Sequence, residues 1–243
     1  YTHNRKVDSV AYHIQPTYSS QHQWKSGRKG PGAIRRNGKV IKEKQYLTFA
    51  LRDEAMSFIE KNREEPFFLY LAFSAPHVPF QAPRSYYDRY AHIADENKRV
   101  YYAMIEALDD AVGAVHQRII DLGLEGNTII YFLSDNGGAS YTKATDNGPY
   151  KGGKLTMFEG GVNVPFFMKW KGKLPQGTVY PHPVSALDIF TTSAAAAGCT
   201  LPADRTYDGM DLFPFLTGVK KEAPHHSFYW KADHIEAMRS GEW

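Results

Sequence analysis

The chain has 243 residues, about 1.6 times a typical domain length, with 42% hydrophobic and 23% charged residues, which excludes wholesale disorder. Its formal net charge of +3 gives no case for a nucleic-acid partner or an anionic membrane surface, and a lone cysteine, Cys199, excludes an internal disulfide or a cysteine-rich zinc module. The longest apolar run, Phe67 to Phe73, is far too short to span a membrane.

Residues 1–45 are polar and basic, with Gly27, Gly30, Pro31 and Gly32 clustered, and read as a loop-rich excursion. Leu47, Ala50, Leu51, Ala55, Phe58 and Ile59 recur at helical spacing and predict an amphipathic helix to about Asn62. Pro66 punctuates, and the run Phe67–Phe73 has the length and composition of a strand buried on both faces. Tyr101, Met104, Ile105, Leu108, Val112, Val115 and Ile119 form the stripe of a second helix, stopped by Gly123. A strand over Thr128–Leu133, a long Gly-rich loop, an apolar run over Val164–Met168 and an Ala-rich helix over Ser185–Ala197 follow, with Gly198 closing the last. Strands alternating with helices predict an α/β fold with a mainly parallel central sheet flanked by helices.

In such sheets ligands bind beyond the carboxyl ends of the strands. Two ends carry chemistry here. The first reads Ser74-Ala75-Pro76-His77-Val78-Pro79, which holds His77 on a loop stiffened by two prolines. The second reads Ser134-Asp135-Asn136-Gly137-Gly138, where Asp135 and Asn136 offer adjacent hard oxygens suited to Ca²⁺ or Mg²⁺. A third segment, Asp146 to Lys154, places a lysine after two glycines, a cation able to approach an anion closely, but it does not fit the phosphate-cradling P-loop pattern. Each segment taken alone is equally an ordinary turn or surface loop.

Together and in order, the segments resemble the type I, formylglycine-dependent sulfatases of the alkaline phosphatase-like superfamily. The resemblance runs over roughly residues 46–243 through A-P-H-x-P, the helix segment Met104 to Gly113 (M-x-E-x-L-D-x-x-V-G), S-D-N-G-G, G-G-K and E-G-G-x-x-x-P. It continues through Val184 to Phe190 and Asp208-Gly209-Met210-Asp211-Leu212. It implies that Asp135 and Asn136 are two ligands of a single divalent cation, usually Ca²⁺. It also implies that His77 contacts the substrate sulfate and shares in proton transfer, and that Lys154 binds sulfate oxygens. Glu159 reads as structural.

The departures matter equally. The family's formylglycine arises from Cys or Ser in C/S-x-P/A-x-R, and neither Cys199, Ser74 nor Ser193 sits in that pattern. Cys199 reads instead as a small residue packed after a helix end. An N-terminal Asp-Asp pair and a G-K-W-H segment are also lacking, and Phe158 and Asn163 stand where tyrosine and arginine are common in the family. The chain is therefore expected to be a fragment lacking the nucleophile region and most of the C-terminal subdomain. In that reading residues 1–45 are an excursion of the catalytic domain, 46–227 its central and late part, and 228–243 the start of the C-terminal subdomain. The expected parent is a periplasmic or secreted sulfuric ester hydrolase acting on a sulfated small molecule or glycan, with no nucleic acid and no membrane span, the fragment itself being inactive. A phosphoesterase or phosphonate hydrolase of the same superfamily, or a non-catalytic binding relative, stays open. His13, Tyr18, His22 and Trp24 are candidates for a sugar-binding rim.

Overall fold

A computed structural model of the chain describes residues 10–13 and 33–241. It divides into two compact units, residues 1–124 with 139–146 and residues 125–138 with 147–243. Of the rim candidates, Tyr18, His22 and Trp24 lie outside the described residues, and His13 is described only through its backbone.

The first unit is built on two helices, α1 (Leu47–Lys61) and α3 (Glu96–Asp121), packed against each other. The α1 helix buries Leu47, Ala50, Ala55 and Ile59, as its periodicity predicts, while Phe58 is more exposed and meets Phe67 edge-on. At the start of α3, Asp95 caps the helix by accepting the Lys98 amide at 3.0 Å. At its end Gly123, with φ of +71°, allows the Gly123 and Leu124 amides to turn back onto the carbonyls of Ile120 and Ile119. The buried residues of α3 are Val100, Ala103, Met104, Ala107, Ala111 and Ile119; Met104 and Ile119 were predicted, the predicted Tyr101 and Leu108 are half-buried against the core, and Ile105 is 41% exposed. Alanines make up half of the buried residues, so the buried face extends beyond what large apolar residues alone mark.

Two strand pairs join this unit. Strands β2 (Arg35–Arg36) and β3 (Lys39–Val40) form a hairpin around Asn37-Gly38, both at positive φ, within the segment read as loop. Strand β1 (Val10–His13) pairs antiparallel with β4 (Gln81–Pro83), which leads into the short helix α2 (Arg84–Tyr87). Phe80, Ala82, Tyr87, Val100, Met104 and Ala144 close the core.

The run Phe67–Phe73 departs from its prediction: exposure alternates along it, with Phe68 73% and Tyr70 81% exposed, and it pairs with no strand among the described residues. A continuous apolar run signals burial without specifying a ladder partner, and here only every second side chain turns inward.

In the second unit β5 (Ile130–Leu133) pairs antiparallel with β6 (Phe166–Lys169), with Leu133 opposite Phe166. Every strand pair among the described residues is antiparallel, so the mainly parallel pairing expected from strand–helix alternation is not present among them. The alternation is real, but it does not fix which strands become neighbours. Glu125, before β5, takes hydrogen bonds from Lys171 and Lys169, which hold its carboxyl below the usual range.

The helical turn α4 (Glu159–Val162) lies between the loops and β6, and helix α5 (Asp188–Ala196) ends at Gly198 with φ of +69°. Asp188 is wholly buried and accepts from the Ser185 amide at 2.7 Å, the Met210 amide at 2.8 Å and His225 Nε2 at 2.8 Å. It thereby ties α5, the Asp208–Leu212 segment and the approach to the β7–β8 hairpin (Ser227–Ala232, Ile235–Ser240) into one body. The short helix α6 (Phe213–Leu216) packs through Phe213 against Trp170. Cys199, expected to be packed, is exposed because Gly198 has already turned the chain away from α5. No helix among the described residues is long and apolar enough to cross a membrane.

Candidate functional site

Three loops of the second unit are woven together through their glycines. Gly137 lies so close to the next loop that an added Cβ would sit 1.7 Å from the Gly160 carbonyl oxygen. Gly160 in turn abuts the carbonyls of Gly152 and Lys151, and Gly161 abuts those of Thr156 and Gly153. Only residues without a side chain allow backbones this near, which gives the G-G, G-G-K and E-G-G spacings one common cause. Hydrogen bonds lock the weave: Gly137 amide to Gly161 carbonyl at 2.9 Å, Gly160 amide to Lys151 carbonyl at 2.8 Å, and Lys154 amide to Gly138 carbonyl at 3.1 Å.

Asn147 is a positioning residue that the sequence left without a role. Its side-chain oxygen accepts the Gly138 amide at 2.7 Å, and its amide nitrogen donates to the carbonyls of Gly138 and Gly152, both at 3.0 Å. Thr156 fixes the other side of the loop, donating to the Gly153 carbonyl at 2.8 Å. An asparagine just before Gly148-Pro149 in a glycine-rich loop was the available signal, since Asn side chains commonly staple turns.

Asp135 and Asn136 follow directly on the carboxyl end of β5. Ser134 donates its hydroxyl to the Asn136 carbonyl at 2.8 Å, and Asn136 donates its amide nitrogen to the Gly137 carbonyl at 3.0 Å. The Asn136 side-chain oxygen thus remains the acceptor end. Asp135 is exposed and makes no salt bridge among the described residues. Two adjacent hard oxygens without a cationic partner fit a hard divalent cation as part of its shell, since Ca²⁺ takes about six to eight oxygens. No group of three or more His, Cys, Asp and Glu placed to hold a metal exists among the described residues. Lys154 is half-buried, and its ammonium makes no ion pair among the described residues.

Glu159 opens α4, where it accepts from Asn163 at 3.0 Å and from Arg239 of β8 at 3.1 Å. Lys151 holds its ammonium 4.2 Å from the centroid of the Phe158 ring.

His77 belongs to the first unit. Its amide bonds the Ser74 carbonyl at 2.9 Å, and ring Nδ1 lies 2.7 Å from the Val78 carbonyl. A carbonyl only accepts, so Nδ1 carries the proton in the neutral ring and Nε2 is the basic nitrogen. The structure thus brings Asp135, Asn136 and Lys154 into one loop weave and presents His77 on a stiff loop of the other unit.

Comparison with known proteins falls on the same residues. The sulfatase family profile matches residues 2–199. The chain is 35% identical over 198 residues to the uncharacterized sulfatase YdeN of Escherichia coli, and 36% identical over 203 residues to N-acetylgalactosamine-6-sulfatase of Sus scrofa. These alignments cover 80% and 81% of the chain but 35% and 37% of the relatives, so the chain spans about a third of the length of the curated relatives it matches. Among solved structures, Ps i-CgsB in complex with k-i-k-neocarrahexaose matches with a TM-score of 0.77 at 37% identity, over 84% of this chain and 46% of that one. With the ordered loop motifs, the family profile and the shared architecture all meeting on one stretch of sequence, the chain belongs to the sulfatase family and has its α/β, alkaline phosphatase-like fold.

Proposed function

We propose that these residues form the central and late part of the catalytic domain of a sulfuric ester hydrolase that cleaves a sulfate ester on a carbohydrate. The observation that carries this reading is the glycine weave, which holds the hard-oxygen side chains Asp135 and Asn136, and Lys154 with no ion pair among the described residues, on loops locked by backbone hydrogen bonds. Rigid placement of charge is what acceleration of sulfate transfer requires, because the charge develops on oxygen at one fixed position. The carbohydrate assignment is supported by two similar proteins, an N-acetylgalactosamine-6-sulfatase and a protein solved in complex with k-i-k-neocarrahexaose. Glycan polymers are met outside the cytoplasm, and a periplasmic or secreted enzyme follows from that substrate choice.

In this reading the Asp135 carboxylate and the Asn136 side-chain oxygen would hold a divalent cation, Ca²⁺ by family resemblance, which would supply Lewis acidity and offset the negative charge of the sulfate. Lys154 contributes its ammonium to a sulfate oxygen or to the leaving oxygen, a charge-assisted hydrogen bond. His77, with Nδ1 committed to Val78, carries a proton at Nε2 to or from the leaving oxygen. The nucleophile, a formylglycine by resemblance, belongs to a segment of the parent protein outside these residues, as do further metal ligands. Residues 46–227 then belong to the catalytic domain, and residues 228–243, with β8 and all of β7 but Ser227, open the C-terminal subdomain.

The test is hydrolysis of an aryl sulfate by the full-length protein, with His77→Ala beside the wild type. Loss of an acid–base group lowers kcat by roughly 10²–10⁴. Turnover of an aryl phosphate or phosphonate in preference to the sulfate would replace this reading with the phosphoesterase one. Absence of any turnover with tight sulfated-sugar binding would indicate a binding relative.

A further inference from the structure

One stretch of the chain is strongly basic. From Lys25 to Lys44 the sequence holds eight Lys and Arg against a single acid, Glu43, a net +7 in a chain of +3, so the remaining residues together carry −4. Five of the eight, Arg35, Arg36, Lys39, Lys42 and Lys44, lie on or just after the β2–β3 hairpin, and all five are exposed.

The hairpin holds its shape independently of its charges. Asn37 and Gly38, at φ of +50° and +77°, make the tight turn that matches strand twist, and the Ile41 amide closes the ladder onto the Ile34 carbonyl at 2.9 Å. Arg36 stands directly opposite Lys39 in the antiparallel register. Opposed residues share a face with their Cβ atoms about 5 Å apart, and like charges in that position destabilise the pair. Glu54 pairs with Arg36 and offsets part of this, whereas Lys39, Lys42 and Lys44 make no ion pair among the described residues. Glu43 turns its carboxylate onto the amides of Lys44 and Gln45, and Asp53 is taken by Gln45 and Arg52. An anion lying along the hairpin would meet the three lysines, Lys39, Lys42 and Lys44, that have no ion pair among the described residues.

The spacing narrows the kind of anion. A single phosphate or sulfate needs donors converging on one point, whereas these five cations are strung over ten residues. A linear polyanion answers to that pattern. No aromatic side chain occurs between Arg35 and Lys44, so the stacking platform typical of single-stranded nucleic-acid sites is lacking. We infer that the β2–β3 hairpin is a docking surface for a sulfated glycan chain, binding its repeated sulfate groups through Arg35, Arg36, Lys39, Lys42 and Lys44. The choice of a sulfated glycan over other polyanions rests on the sulfatase reading above.

The experiment measures binding of full-length protein to dextran sulfate, neutral dextran and duplex DNA over a range of salt, with aryl sulfate turnover recorded in parallel. Dextran sulfate binds, neutral dextran does not, and the triple variant R35Q/R36Q/K39Q loses at least tenfold in affinity. Its salt slope falls by about 2–3, the number of cations removed, while aryl sulfate turnover is unchanged. The pair K42Q/K44Q, which leaves the hairpin ladder untouched, shows a smaller loss in the same direction. Unchanged affinity in both variants overturns the inference, and so does an equal loss in a control variant, K98Q/K173Q/K221Q, made elsewhere on the surface. Duplex DNA binding as tight as dextran sulfate overturns the glycan assignment. Absence of aryl sulfate turnover in the wild type sinks the sulfatase reading instead, a result separate from the binding measurements.

Discussion

Replacing Gly137 with alanine is the sharpest perturbation of the loop weave. The added methyl would lie 1.7 Å from the Gly160 carbonyl oxygen, 2.7 Å from its carbon and 3.0 Å from the Gly161 Cα, all of them backbone atoms. Ordinary contact begins at 3.4 Å, so the two loops must part by about 1.7 Å. Separation on that scale breaks the 2.9 Å bond from the Gly137 amide to the Gly161 carbonyl. Overpacking costs about 1–3 kcal/mol and the lost bond about 1 more, so a destabilisation of roughly 2–4 kcal/mol is expected. Asp135 and Asn136 immediately precede Gly137, so on the proposed reading of these residues as cation ligands, Ca²⁺ affinity is expected to fall with it. Chemical denaturation of the full-length protein, together with calorimetric Ca²⁺ titration, measures both quantities. The control is Gly126→Ala, where a Cβ meets nothing within 4 Å and φ is not positive. If Gly137→Ala matches the control in stability and Ca²⁺ affinity, the weave does not hold the site and the reasoning is wrong.

Further predictions follow from individual side chains. Gly113→Ala, at an exposed interior position of α3 with open space around it, stabilises the protein by about 0.5–1 kcal/mol in the same denaturation assay. Asp188→Ala removes a wholly buried carboxylate and leaves the half-buried Ser185 and Met210 amides and His225 without their shared acceptor, costing about 3 kcal/mol, seen as a lowered melting temperature. Tyr46 donates its hydroxyl to the Gln81 carbonyl at 2.8 Å, and burial pushes its pKa up to about 12. Since the folded pKa lies above the ordinary value of about 10, this group's stabilisation is complete below pH 10 and is lost as pH rises towards 12. Tyr46→Phe is therefore less stable than wild type by about 1 kcal/mol at neutral pH, and the gap closes in alkaline denaturation curves.

Helices α1 and α3 were legible because apolar spacing, a capping aspartate and a terminal glycine all act within a few residues of one another. The stripe of α3 was legible at Met104 and Ile119 but missed Ala103, Ala107 and Ala111, because a buried alanine leaves a weak hydropathy signal. Strand partners were not legible, since neither Phe67–Phe73 nor Ile130–Leu133 encodes what lies beside it. The same limit applies to the site. Asp135, Asn136 and Lys154 stood out as chemistry at strand and loop ends, but the reason for the glycines between them lies in backbone approaches such as Gly137 to Gly160, 23 residues apart. Asp188 and His225, separated by 37 residues, gave no shared pattern at all, although a lone aspartate inside the apolar Val184–Phe190 segment marked a buried charge in need of partners.

The central claim is that Lys154 and the Asp135–Asn136 pair serve sulfate ester hydrolysis. It is tested most directly by kcat/KM for an aryl sulfate, measured on full-length wild type and Lys154→Ala with Ca²⁺ present. The account predicts turnover by the wild type and a loss of roughly 10²–10³ in kcat for Lys154→Ala, the size expected when one charge-stabilising donor is removed. Wild-type turnover that survives Lys154→Ala undiminished would contradict it.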